Sequence, residues 1–191
     1  MSNNYPNPFS KKIVIEDATT TLPWHPTRMW GKRPLSYIKY IIVHQSACTA
    51  TFEQINKAHI SPGSQNHLSK AGAPHICYHM GLEPSGNILQ MNSFEHITWH
   101  CKGVNMYSIG INVNGNFPGK GWKGKKDPTN EQIIVLHALL DHLYKNDFKH
   151  LTPSHSLYGH SHFDRINRSG DPGFVLEEEI RKFVGINRNE N

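Results

Sequence analysis

Fourteen of the 191 residues are histidine, and their placement is uneven. Residues 155–171 hold His155, His160 and His162 together with Asp164 and Asp171. Histidine and carboxylate side chains are the usual ligands of a hydrolytic zinc ion, whose site keeps one position open for water. His160 and Asp171 are 11 residues apart, a span that a loop can fold back across. Asp171 precedes Pro172-Gly173, a pair suited to closing the turn and opening a last helix. His44 ends an apolar run and could bring a third ligand from elsewhere in the fold. His155 and His160, five positions apart, form a rival pair. The bland alternative is that these histidines are ordinary loop residues. Spacing alone leaves these readings open.

The elements that must position such groups can be read from periodicity. Tyr40-Ile-Ile-Val-His44 is a short β-branched run of the kind that fills a strand buried on both faces. Thr51 and Gln54 form a capping-box pattern opening a short helix, which Pro62-Gly63 stops. Residues 61–74 read as loop. Residues 76–82 alternate with period two, residues 83–87 make a turn, and 88–91 give the return strand of a hairpin. In 108–114, Ile109, Ile111 and Val113 point to one side, and Gly110, Asn112 and Asn114 to the other. Thr129 and Gln132 cap the clearest helix, about 130–146, with an apolar stripe of Ile133, Leu136, His137, Leu140, Leu143 and Tyr144. Residues 150–173 read as irregular, and 175–184 as a closing amphipathic helix.

This order predicts an α/β single domain with a central mixed sheet flanked by helices. A Pro-, Asn- and Thr-rich arm over 1–36, with a strand-like piece at 12–15, packs on it. The domain proper covers 37–186, and 187–191 form a flexible tail. Hydrophobic residues make up 37% and charged residues 18%, a balance suited to a packed core and not to a disordered chain. No apolar run is long enough to span a bilayer. The first residues lack a basic segment followed by an apolar one, so no signal peptide is read and synthesis in the cytoplasm is expected. Cys48, Cys77 and Cys101 fit neither a disulfide framework nor a paired-cysteine metal motif and are read as free thiols. The net charge of +5 suits any polyanion, from nucleic acid to cell wall. A Lys-rich stretch at 120–126 reads as a solvated loop.

Five stretches in order change the weight of the metal reading. Ile41-Ile-Val-His-Gln-Ser-Ala47 resembles the first zinc-ligand strand of the type 2 N-acetylmuramoyl-L-alanine amidases, a superfamily that includes phage lysozyme-type amidases and peptidoglycan recognition proteins. Ile76-Cys-Tyr-His-Met80 is similar to its Tyr-His strand. Trp99-His-Cys-Lys-Gly103 resembles its Ala-His-Ala-Gly motif. The run from Ser108 to Phe117 resembles its Ser-Ile-Gly-Ile strand. Gly159-His-Ser161 and Asp171-Pro-Gly173 resemble its closing ligand pair. The resemblance spans about residues 37–184.

The resemblance implies the recognition-protein fold and zinc held by His44, His160 and Asp171. It implies hydrolysis of the amide between N-acetylmuramic acid and L-alanine in peptidoglycan. It assigns Tyr78 as a catalytic residue, and His100 and Asn112 as substrate contacts. Two departures stand out. Some members carry Glu where this chain has Asn112, which cannot take a proton, leaving Tyr78 or metal-activated water to serve. Others carry Lys two residues before the third ligand. Here that place is Ser169, and the neighbouring Arg168 is expected to steady the oxyanion. The implied partner is peptidoglycan or a muropeptide, with no nucleic acid and no membrane span, and the protein is expected to be a monomer. A phage-type endolysin acting on the wall after release or injection is the first setting. A cytoplasmic recycling amidase and a silent peptidoglycan-binding module are the alternatives.

Overall fold

The computed structural model describes residues 12–188. Six strands form one mixed sheet, and their residues are β1 Ile15–Asp17, β2 Tyr40–Gln45, β3 Met80–Leu82, β4 Ile88–Gln90, β5 Ser108–Val113 and β6 Leu157–Gly159. The spatial order is β1-β4-β3-β5-β2-β6. All neighbours run parallel except the β3–β4 hairpin. Parallel pairs need long crossovers, which the helices provide.

Strands β2 and β5 are almost wholly buried, as the β-branched runs at their centres require. On one face Ile41, Val43, Ile109, Ile111 and Val113 pack against α2 (Asn130–His142) and α4 (Phe174–Arg188), which supply Leu136, Leu139, Leu140, Leu176, Ile180 and Phe183. The other face takes α1 (Phe52–Ile60), whose Phe52 and Ile55 pack with Ala18, Leu22, Ile76 and Met91. Both capping boxes form: Thr51 and Gln54, and Thr129 and Gln132, exchange side-chain and backbone hydrogen bonds. From residue 12 onward, the arm pairs β1 with β4 and buries Trp30 and Arg33. The Arg33 guanidinium donates to the carbonyls of Ser108 and Phe94 at 2.8 and 3.1 Å, tying the arm to the start of β5.

Four expectations need correction. The period-two run at 76–82 yields ladder pairing only at Met80–Leu82. Ahead of it, the buried Asn92 amide donates to the carbonyls of Ile76 and Tyr78, both at 2.7 Å, and satisfies backbone that a strand neighbour would otherwise satisfy. The helix at 130–146 is α-helical to His142 and then widens into a π turn at Leu143–Asp147. The stretch read as irregular holds α3 (Pro153–Ser156) and edge strand β6. The closing helix begins at Phe174 and continues to Arg188, beyond the 175–184 read for it. Residues 1–11 and 189–191, which include parts of the arm and tail, lie outside the described residues. Among the described residues no helix is long and apolar enough to cross a membrane.

Candidate metal centre

The register of three parallel strands brings distant residues together. Val43 pairs with Gly159, so the next residues, His44 and His160, leave the same end of the sheet side by side. His44 itself pairs with Asn112. No side chain fits at Gly159: a Cβ there would lie 2.3 Å from Glu177 Oε1 and 2.5 Å from Pro172 Cδ. Gly159→Ala is therefore expected to lower stability by about 1–3 kcal/mol through overpacking, read as a fall in the urea midpoint at unchanged slope.

Asp171 returns to the strand ends through a closed loop. Its amide donates to the Arg168 carbonyl at 3.0 Å, and its carbonyl accepts from Ser161 at 2.8 Å. Gly173, at φ 107°, makes the turn into α4 in a conformation other residues resist. Asp171 Oδ1 accepts the Gln45 backbone N–H at 2.8 Å, which fixes the carboxylate on β2.

The outcome is a triangle of three donor atoms. His44 Nδ1 and His160 Nδ1 are 3.1 Å apart, His160 Nδ1 and Asp171 Oδ2 2.9 Å, and His44 Nδ1 and Asp171 Oδ2 3.5 Å. Ligands about 2.0–2.1 Å from a tetrahedral zinc ion are separated from one another by about 3.3 Å. The donor set is chemically right as well. Burial holds His44 down to about 4, against opposition from Asp171, so its ring is neutral at pH 7. Burial also works to raise the Asp171 carboxyl, but the hydrogen bond from His160 and the neighbouring His44 outweigh it and hold the group well below the usual carboxylate range. Two imidazoles and one carboxylate, buried or nearly so, thus share one corner of space, and these residues fit a zinc ion. The rivals are elsewhere: His155 Nδ1 pairs with Ser154 Oγ at 2.9 Å, and His162 stacks on Tyr158 with ring centroids 4.1 Å apart.

His160 and Asp171 line a cleft of about 690 Å³, together with Tyr78, Trp99, Lys120, Trp122 and Arg168, and His44 is buried beside them. The Tyr78 ring lies 5.3 Å from that of His44. Burial, then the nearby Asp171 charge, push its phenol well above the usual tyrosine range. That shift favours the neutral phenol, which can donate a hydrogen bond. Arg168 lines the cleft with Ser169, whose hydroxyl is turned away to the Lys120 carbonyl at 3.2 Å.

The two expected substrate contacts both lie deep. His100 is 5% exposed, lines the cleft and directs Nδ1 to His44 Nε2 at 3.0 Å. Asn112 is 0% exposed and lies beside Tyr78, with neither amide atom in a hydrogen bond of normal geometry. His79 faces inward as well, accepting the Gly110 N–H at Nδ1 (3.0 Å) and donating from Nε2 to the His96 carbonyl (2.9 Å). Sequence reasoning missed His59, His67, Trp99 and Trp122 on the cleft wall. His59, in the last turn of α1, carried one signal, its i+4 spacing from the apolar Ile55.

Known proteins share this sheet and its flanking helices. The sequence profile of N-acetylmuramoyl-L-alanine amidase matches residues 33–174, and the chain belongs to that family. It is 25% identical over 147 residues to peptidoglycan-recognition protein SC1a of Drosophila melanogaster, covering 76% of this chain and 74% of that protein. Among solved structures it superposes on the N-acetylmuramoyl-L-alanine amidase LysC from Clostridium intestinale URNW. The TM-score is 0.62 at 24% identity, covering 90% of this chain and 97% of that one. Peptidoglycan recognition protein LE, solved with tracheal cytotoxin, a monomeric diaminopimelic acid-type peptidoglycan, gives 0.68 at 21% identity, covering 88% and 92%. These structures share the fold. Family and fold together define a peptidoglycan amidase or peptidoglycan-binding protein.

Proposed function

We propose that the chain is a zinc-dependent amidase that hydrolyses the bond between the lactyl carbonyl of N-acetylmuramic acid and the nitrogen of L-alanine. The observation that carries this is the triangle of His44, His160 and Asp171 donor atoms opening onto a cleft beside Tyr78. A zinc ion held there supplies Lewis acidity, lowering the pKa of water and polarising the scissile carbonyl.

The chain's own residues do the rest. The cleft binds the muropeptide and restricts water around the amide. As water adds to the carbonyl carbon, negative charge develops on the oxygen, and the protonated Tyr78 hydroxyl donates to it. Arg168 adds a fixed positive charge on the same wall. The C–N bond then breaks, and the alanine nitrogen leaves with a proton that originates from the water. Asn112 cannot carry that proton, so no carboxylate base is assigned at its position.

Loss of a hydrogen-bond donor to an oxyanion costs about 10²–10³ in rate, and that is the fall expected in kcat for Tyr78→Phe, with zinc affinity unchanged. Arg168→Ala is expected to lower kcat less, by about 10–100-fold, with partial recovery in Arg168→Lys because a point charge survives but the fork does not. Steady-state kinetics on a soluble muropeptide, paired with zinc titration, checks both.

We further propose a wall-lytic setting of the endolysin type, acting as a monomer on intact peptidoglycan. The likeness to the endolysin amidase LysCS from Clostridium intestinale URNW supports it. The central test is digestion of purified peptidoglycan with and without chelator, scoring new L-alanine N-termini. Zinc-loaded wild-type protein that binds the wall but releases none would leave a recognition protein, as the name of the SC1a relative describes that protein. Preference for soluble anhydro-muropeptides over intact wall would favour a recycling enzyme instead.

A further inference from the structure

His100 and Ser108 belong to motifs that the proposed chemistry does not use, yet both are buried. Their contacts form a chain. Ser108 Oγ lies 2.8 Å from the Val104 carbonyl and 3.0 Å from His100 Nε2. His100 Nε2 is also 3.3 Å from the Ser108 carbonyl, and His100 Nδ1 is 3.0 Å from His44 Nε2.

The direction of this chain is forced. A carbonyl oxygen only accepts, so the Ser108 hydroxyl donates to Val104. Its oxygen then accepts from His100 Nε2–H, which also faces a second acceptor, the Ser108 carbonyl. Were Nε2 unprotonated, its lone pair would face that carbonyl, and the Val104 contact would hold no hydrogen. A neutral imidazole protonated at Nε2 is an acceptor at Nδ1. His100 Nδ1 therefore accepts from His44 Nε2–H, leaving His44 Nδ1 with its lone pair toward His160 and Asp171. The opposite His44 tautomer would set two lone pairs against each other at 3.0 Å.

We propose that Ser108 and His100 form a one-way hydrogen-bond relay that locks His44 in the Nε2–H tautomer and aims its Nδ1 at the metal position. His100 is thus a positioning residue acting through His44. The inference rests on reading His44 as a zinc ligand, and it explains two residues of the β5 motif at once. Ser108 orients the relay, and Gly110 makes room for it, since a Cβ at 110 would lie 2.7 Å from His100 Cγ.

Loss of a group that orients a ligating histidine costs about 10–100-fold in metal affinity. His100→Phe keeps a ring but removes the acceptor. Its zinc affinity, measured by chelator competition, is expected to fall by that factor. His100→Gln, with an amide oxygen toward His44 and an NH₂ toward Ser108, should recover most of it. A merely structural role would give no such recovery. The second readout is the tautomer itself, from ¹⁵N NMR of the His44 ring in metal-free wild-type protein, which needs no variant to fold. The relay expects protonated Nε2 and bare Nδ1. A His44 protonated at Nδ1, or zinc affinity in His100→Phe equal to wild type, overturns it. Wild-type protein that binds no zinc would instead overturn the functional proposal, and the tautomer measurement would still decide the relay.

Discussion

Asp171→Ala is expected to remove both zinc binding and amide hydrolysis. Asp171 is the one anion in the triangle, and its carboxylate is held ionised by His160 and His44 against the opposing effect of burial. Without it, two imidazole ligands remain, one short of the three protein ligands of a catalytic zinc site. The loss in kcat/KM should exceed the ~10²–10³ that removal of one electrostatic donor costs. A thermodynamic signature separates this from misfolding. A ligand at a thousand times its dissociation constant stabilises the folded state by about 4 kcal/mol. For a domain of this size that amounts to a melting-temperature rise on the order of 8–16 °C. Wild-type protein should show this rise on adding zinc, and Asp171→Ala should not. Asp171→Asn sharpens the test, since its side-chain oxygen still accepts the Gln45 N–H that Asp171 Oδ1 now takes at 2.8 Å. That variant should melt near the metal-free wild type yet gain little from zinc. An equal zinc-induced rise in all three proteins would remove Asp171 from the site.

The elements that build this triangle differ in how openly the amino-acid sequence declares them. β2 and β5 are legible because buried strands concentrate β-branched residues, as Ile41-Ile-Val43 and Ile109, Ile111 and Val113 do. The helix starts are legible because Thr51–Gln54 and Thr129–Gln132 satisfy backbone groups locally, within four residues. β6 is not, because three residues have no period, and Leu157–Gly159 is a strand only by pairing with β2. That pairing sets His160 beside His44, so the geometric reason for preferring His160 over His155 is invisible in local spacing. The ordered motifs supply the choice instead. The burial of His100 and Asn112 is not legible, because a motif fixes the position of a residue along the chain, not the depth of its side chain. Long-range packing under β2 and β5 sets that depth. The departure at Asn112 is visible in the sequence, and the structure adds that burial of Tyr78 beside it favours the neutral phenol.

Burying so many histidines carries a consequence for stability in acid. In metal-free protein, burial, then the neighbouring His67 and His75, holds His59 down to about 4. Burial, then Arg33, holds His79 down to about 3. Burial, opposed by Asp171, holds His44 to about 4. In the unfolded chain each titrates near the ordinary histidine value of about 6.5. Between those values the unfolded state binds protons that the folded state refuses, so stability rises with pH across the window. The full contribution is present above about 6.5 and is lost as the pH falls toward 4. A histidine held at about 4 loses about 3 kcal/mol over that range, and three of them approach the 5–15 kcal/mol of a typical domain. Metal-free protein should therefore unfold steeply between about pH 6.5 and 4, above the range in which most carboxylates titrate. Melting curves from about pH 7.5 to 4.5 in the presence of chelator check this, and a melting temperature that stays flat below about 6.5 would refute it. His59 offers the single-site control. Its Nδ1 accepts the Cys77 N–H at 3.2 Å, a role an amide oxygen can fill. His59→Gln should keep that bond and lower the pH dependence by the share of one proton, about 1.4 kcal/mol per pH unit near pH 5.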